Sequence, residues 1–120
     1  MEITTPLDKT INMTQNELVE KIGEYQAEAL AIIKAKNHDY TRVDDAFANF
    51  RISETYVGTP VEHGIMIRMS DKMARIGNLL TKKAQVKDES LEDAMTDLSN
   101  YSLILRAYLE DKRGQIPQEL

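Results

Sequence analysis

Along three long stretches of this chain, apolar residues return every three or four positions, and no other feature constrains the fold as much. That spacing places an apolar stripe along one side of an α-helix. The first stretch, 15–36, carries Leu18, Ile22, Tyr25, Ala29, Ile32 and Ile33. Thr14 stands where an N-cap belongs, Glu17 follows three residues later as its capping-box partner, and Met13 and Leu18 occupy staple positions. Asn37 is the expected stop. The second stretch, 60–82, begins with Thr59 as cap, Pro60 in the first helical position and Glu62 closing a second box. Its main stripe is Ile65, Met69, Met73, Ile76 and Leu80, with Ile67, Ala74 and Leu79 outside it, so this helix is apolar on more than one side. The third starts within 88–90 and runs to Arg113, with Gly114 at C′ and Pro117 beyond. Its main stripe is Leu91, Met95, Leu98, Ser102, Leu105 and Leu109, and a second row holds Ala94, Tyr101, Ile104 and Tyr108.

Between the first two helices, 37–58 reads as loop, with a short helix expected over 44–51, and no segment alternates as a strand. The expectation is an all-α fold: a small bundle of three long helices plus short ones. Its 120 residues suit one domain, 1–120, with a core over 15–113. The apolar surplus on the second helix calls for a homo-oligomer.

Composition removes several function classes. No run approaches the roughly 18 apolar residues of a membrane span, and the opening residues lack a signal-peptide pattern. Without Cys there is no thiolate zinc site and no cysteine nucleophile, which suits a cytoplasmic protein. A net charge of −5 argues against long nucleic acid as a partner. The charge is unevenly spread: 1–33 carries −4, 34–51 and 52–82 carry +1 each, and 83–120 carries −3. Either the acidic outer helices pair with a basic one, or they hold a divalent metal while the middle supplies cations for phosphate.

Several side chains could carry chemistry. Glu20, Glu24 and Glu28 follow one another at i,i+4 on the first helix, either as a solvated acidic face or as a set facing a cation. Asp93 and Asp97 share that spacing on the third. Asp97 falls inside the arc of Tyr101, Ile104 and Tyr108, where an ionised carboxylate costs several kcal/mol unless paired or coordinated. Asp93, three residues after Ser90, can also serve as a capping partner, and Asn100 extends the row. On the second helix Arg68, Asp71, Arg75 and Asn78 form one polar row, either a surface ladder or a ligand-facing one. Lys36, Asp39, Tyr40, Phe47 and Phe50 interleave charge and aromatic rings, a mixture able to hold phosphate and stack a base, although the two Phe also suit a core. Neither a P-loop nor a G-x-G-x-x-G is present, and His38 and His63 lack partners at zinc-ligand spacing.

The pattern of Lys36-Asn37-His38-Asp39-Tyr40, then Asp71-Lys72 with Arg75-Ile76, then Asp93 to Asp97-Leu98 with Asn100-Tyr101, resembles a family of small phage and bacterial proteins associated with nucleotide modification. That family is similar to the all-α NTP pyrophosphohydrolases, the MazG-like superfamily. The resemblance spans residues 15–110 and implies an oligomeric helical fold, cytoplasmic (the host cytoplasm where phage-encoded), binding a small nucleotide ligand between helices. It further implies Mg²⁺, or Mn²⁺, held by acids from two helices, here Glu24, Glu28, Asp93 and Asp97 as metal and catalytic residues. Lys36, Asp39, Tyr40, Arg68, Asp71, Lys72, Arg75 and Asn100 are then the ligand-binding set. The acid spacing departs from the E-x-x-E and E-x-x-D of MazG-like enzymes: Glu24 and Glu28, and Asp93 and Asp97, are each four apart. Two functions follow as alternatives, a Mg²⁺-dependent NTP pyrophosphohydrolase and a non-catalytic binder that sequesters a small nucleotide such as an immune signal. A third is a helical interaction module whose acid rows meet a basic partner.

Overall fold

A computed structural model describes residues 10–40, 45–85 and 89–114, without the side chains of Asn37, Asp39 and Tyr40. The described residues are helices and their connections, with no strand among them, and none of the helices is long and apolar enough to cross a membrane.

Helix α1 (Gln15–Tyr40) opens as its capping residues dictate. Glu17 N–H donates to Thr14 Oγ1 at 3.2 Å, and the Thr14 hydroxyl donates to the Glu17 carboxylate at 2.9 Å. The helix continues past Asn37, the expected stop. Asn costs only a fraction of a kcal/mol inside a helix, and the last turns gain a tie to α4 through Lys36.

The short helix expected over 44–51 is a 3-10 turn, Ala48–Phe50, and after it comes an unexpected helix α2 (Ile52–Val57). Asp45 organises the entry, accepting from Phe47 N–H at 3.0 Å and from Arg51 Nε at 2.7 Å. Gly58, at φ 73°, ends α2 in the left-handed conformation that a side chain disfavours.

Helix α3 (Val61–Leu79) takes Pro60 as its cap residue, so Thr59 is not the cap, and the helix ends before Lys82. Helix α4 (Leu91–Gly114) keeps Gly114 as its last helical residue rather than beyond its end. Its start is a reciprocal box: Asp93 N–H donates to Ser90 Oγ at 3.1 Å, while Ser90 N–H and hydroxyl donate to Asp93 Oδ2 at 3.1 and 2.9 Å.

Helices α3 and α4 run antiparallel, since Glu62 meets Lys112 at one end and Arg75 meets Glu89 at the other. Between them lies the core of Phe50, Val61 and Ile65, joined by Met69, Tyr101, Ile104, Leu105 and Tyr108. The second row of α4 therefore faces α3. Met95 and Ser102 of the expected main stripe are exposed instead, as are Met73 and Leu80 of the α3 stripe. The aromatic rings account for the choice on α4. Tyr101 and Tyr108 meet Phe50 and Phe47 edge-on at 6.3 and 5.2 Å, contacts worth more than their buried area alone. Helix α1 touches α4 at the buried Ala29, and its residues 15–28 are all exposed.

Candidate functional site

Where α1, the 3-10 turn, α3 and α4 converge, a small cleft of about 50 Å³ opens. Its walls take Ile33 and Lys36 from α1, Asn49 and Phe50 from the turn, Arg68 from α3, and Asp97, Asn100, Tyr101 and Ile104 from α4. Helical periodicity explains the last group: positions 97, 100, 101 and 104 lie on one face, and Tyr101 and Ile104 are drawn inward by the core.

Asp97 is the electrostatic centre of this cleft. Its side chain is 18% exposed and holds two ammonium groups, Lys36 Nζ at 3.3 Å and Lys72 Nζ at 2.9 Å. Lys36 lies on α1 and Lys72 on α3, so one carboxylate on α4 ties three helices together. Burial is the largest single influence on Lys72 and pulls its pKa down. The Asp97 hydrogen bond and charge, with Tyr101 and Glu89, outweigh it, and the ammonium is held above its ordinary range. Asp93, one turn earlier, is held below the carboxylate range by the Ser90 hydroxyl and backbone N–H, with the charges of Lys36 and Lys72 adding to the effect.

Arg68 stands over the Phe50 ring with its guanidinium carbon 4.8 Å from the centroid. Among the described residues no carboxylate pairs with it, so its fork of N–H donors remains available beside an aromatic face. Phe50 meets Tyr101 edge-on across the cleft. Three cations, Lys36, Lys72 and Arg68, thus gather against two carboxylates, Asp93 and Asp97, next to two aromatic rings. A locally positive, half-aromatic cleft in a chain of net charge −5 suits an anion that carries a ring.

The remaining expected site residues are placed elsewhere or differently. Arg75 donates from Nε to the Glu89 carbonyl at 2.9 Å and from a terminal nitrogen to the same oxygen, fastening the segment that leads into α4. Asp71 is exposed on α3. Asp39 and Tyr40 fall on side chains outside the described residues. Glu24 is exposed and pairs with Lys21 at 3.9 Å. Glu28 lines a different space, a groove of about 460 Å³ between α1 and α4, with Glu92 also on its wall.

Of the four carboxylates expected to hold Mg²⁺, Asp93 and Asp97 stand one turn apart on α4 near the same two lysines, whereas Glu24 and Glu28 lie on α1. Glu24 faces solvent, Glu28 the groove, Asp93 the N-terminus of α4 and Asp97 the lysines. Among the described residues no three His, Cys, Asp or Glu come together as a metal would require.

Asn49, Tyr101, Ile33 and Ile104 complete the cleft without having been named as ligand residues in the sequence, whereas Phe50 belongs to the interleaved set able to stack a base. For Tyr101 the one signal is its place beside Asn100 in the pattern that carries the resemblance. Compared with models of protein families, with curated proteins and with solved structures, the chain matches none.

Proposed function

We propose that this protein binds a small nucleotide in the cleft around Asp97. The phosphates meet Lys36, Lys72 and Arg68, and the base lies along Phe50 and Tyr101. The observation that carries the reading is Arg68: a guanidinium without a carboxylate partner among the described residues, over an aromatic ring and beside two lysines that share one acid. Arginine in that setting donates two N–H bonds to one phosphate and supports a stacked base at once. Asp97 positions the two ammonium groups, and a phosphate arriving beside it replaces their hydration without displacing the carboxylate.

Calorimetric titration with the common ribo- and deoxynucleoside mono-, di- and triphosphates tests this. Binding is expected, with Arg68→Met and Lys36→Met each weakening it about tenfold, near 1.4 kcal/mol. No heat and no binding across the panel would end the proposal. Recovery of unchanged nucleotide after denaturing the loaded protein is the signature of a binder rather than a hydrolase.

Mg²⁺-dependent pyrophosphohydrolysis is the second reading, favoured by one observation: Glu28 of α1 and Glu92 of α4 line the same groove. It needs further acids from another copy to complete an oxygen-ligand site. Incubation with each NTP and dNTP plus Mg²⁺ or Mn²⁺ separates the readings, since only hydrolysis yields monophosphate and pyrophosphate. A homo-oligomer belongs to both readings, on the strength of Leu18, Val19, Ile22 and Tyr25, all exposed apolar side chains on the first half of α1.

A further inference from the structure

Asn100 is the one buried polar residue among those described, 5% exposed, and it sits on the wall of the cleft. Its Nδ2 donates to the Ala29 carbonyl of α1 at 3.1 Å. That contact fixes the amide, because a flipped side chain would press oxygen against oxygen. The Oδ1 is thereby turned away from α1, and among the described residues nothing donates to it. A buried acceptor without a donor is unfavourable, and native interiors hold few of them. Ala29 O lies within a helix and is already an acceptor for the backbone. The Asn100 amide is thus a poor choice for structure alone: an apolar side chain of similar size would pack between α1 and α4 without burying an orphan oxygen.

Complementarity inside the cleft supplies the reason. Arg68 and Lys36 offer donors and charge on its wall, Lys72 adds charge through Asp97, and Ile33 and Ile104 supply apolar surface. Asn100 stands one helical turn from Asp97, about 4.5 Å along α4, which is the step from a phosphate to the nucleoside that carries it. We infer that Asn100 Oδ1 accepts a hydrogen bond from the nucleoside part of the ligand, a sugar hydroxyl or a base N–H, and so selects nucleotides over bare polyphosphate. This rests on the nucleotide reading of the cleft and adds to it a residue that chooses between phosphate-bearing ligands. A site that buries an acceptor discriminates strongly against analogues lacking the donor, because that acceptor is then left unpaired.

Affinities of the wild-type protein and Asn100→Leu for ATP, CTP, GTP, UTP and inorganic tripolyphosphate test the inference, with helix content checked by circular dichroism. The expected result is equal binding of tripolyphosphate by both proteins and at least a tenfold loss in Asn100→Leu for the nucleotide bound best. Equal affinity of the two proteins for every nucleotide overturns the inference and leaves the cleft reading standing. Absence of binding by the wild type to nucleotide and tripolyphosphate alike fails the cleft reading itself. Analogues settle the matter on the wild type alone, should the variant not fold: the 2′,3′-dideoxy form of the best-bound nucleotide and the form lacking base N–H donors. A tenfold loss in one arm identifies the donor as sugar or base; no loss in either overturns the inference.

Discussion

At the scale of single residues, carboxylates do most of the organising. Asp97 is the clearest case, a mostly buried acid held between Lys36 and Lys72. Removing it leaves two like charges facing each other in a partly desolvated space. Asp97→Asn is expected to lower stability by about 1–2 kcal/mol, less than for a fully buried pair because Lys36 is half exposed. Denaturant unfolding measures this, and saturating phosphate should recover part of the loss. Glu62 gives a pH signature. Its hydrogen bond from Lys112 holds its pKa below the ordinary 4.5, helped by its own backbone N–H and opposed by burial. Asp93 is likewise held below its ordinary 3.8 by Ser90. Groups with depressed folded-state values contribute stability above their unfolded pKa and lose it as acid protonates them. The melting temperature should therefore drop between about pH 5 and about pH 2, and Glu62→Gln should shrink that drop by lowering stability at neutral pH only. A melting curve for Glu62→Gln parallel to the wild type across that range would contradict the assignment.

Among the helices, local chemistry decides where each begins. The Ser90–Asp93 box makes three hydrogen bonds at the start of α4, the helix on which every other part of the cleft leans. Ser90→Ala is expected to cost about 1 kcal/mol, read from thermal or denaturant unfolding. Thr14→Ala should chiefly fray the exposed first half of α1, visible in amide exchange of 15–28. Gly64 marks a close approach instead: a Cβ there would run into the Ser53 side chain, whose hydroxyl donates to Phe50 O at 3.2 Å. Helix positions and the Thr14 box were legible in the sequence because they depend on residues a few places apart. The face of α4 that turns inward was not, since both rows are apolar and the choice rests on Phe47 and Phe50 arriving from a distant turn. An aspartate within an apolar arc announced the need for a cation. That Lys36, 61 residues away, would supply one was beyond any local pattern. Asn37 and Thr59 misled for the opposite reason: each fits a boundary locally, and packing or Pro60 overrode it.

For the whole molecule, the unequal packing of its helices sets the expectation. Helices α3 and α4 enclose a core, whereas residues 15–28 of α1 are all exposed among the described residues, Tyr25 at 57%. A helical stretch this exposed gains little from packing, so a second copy is expected to cover Leu18, Val19, Ile22 and Tyr25. Light scattering after gel filtration should give a mass above one chain, and Ile22→Asp should reduce it; a monomer at high protein concentration would contradict the expectation. Assembly and binding remain separable, because the cleft around Asp97 is built from one chain and lies apart from that exposed face. The most direct test of the central claim is to map where a nucleotide sits, by following backbone amide and methyl NMR signals as ATP or its best-bound relative is added. The account predicts saturable shifts at Ile33, Lys36, Phe50, Arg68, Asn100 and Ile104; shifts confined to the α1–α4 groove or to residues 15–28, or no shifts with any nucleotide, would contradict it.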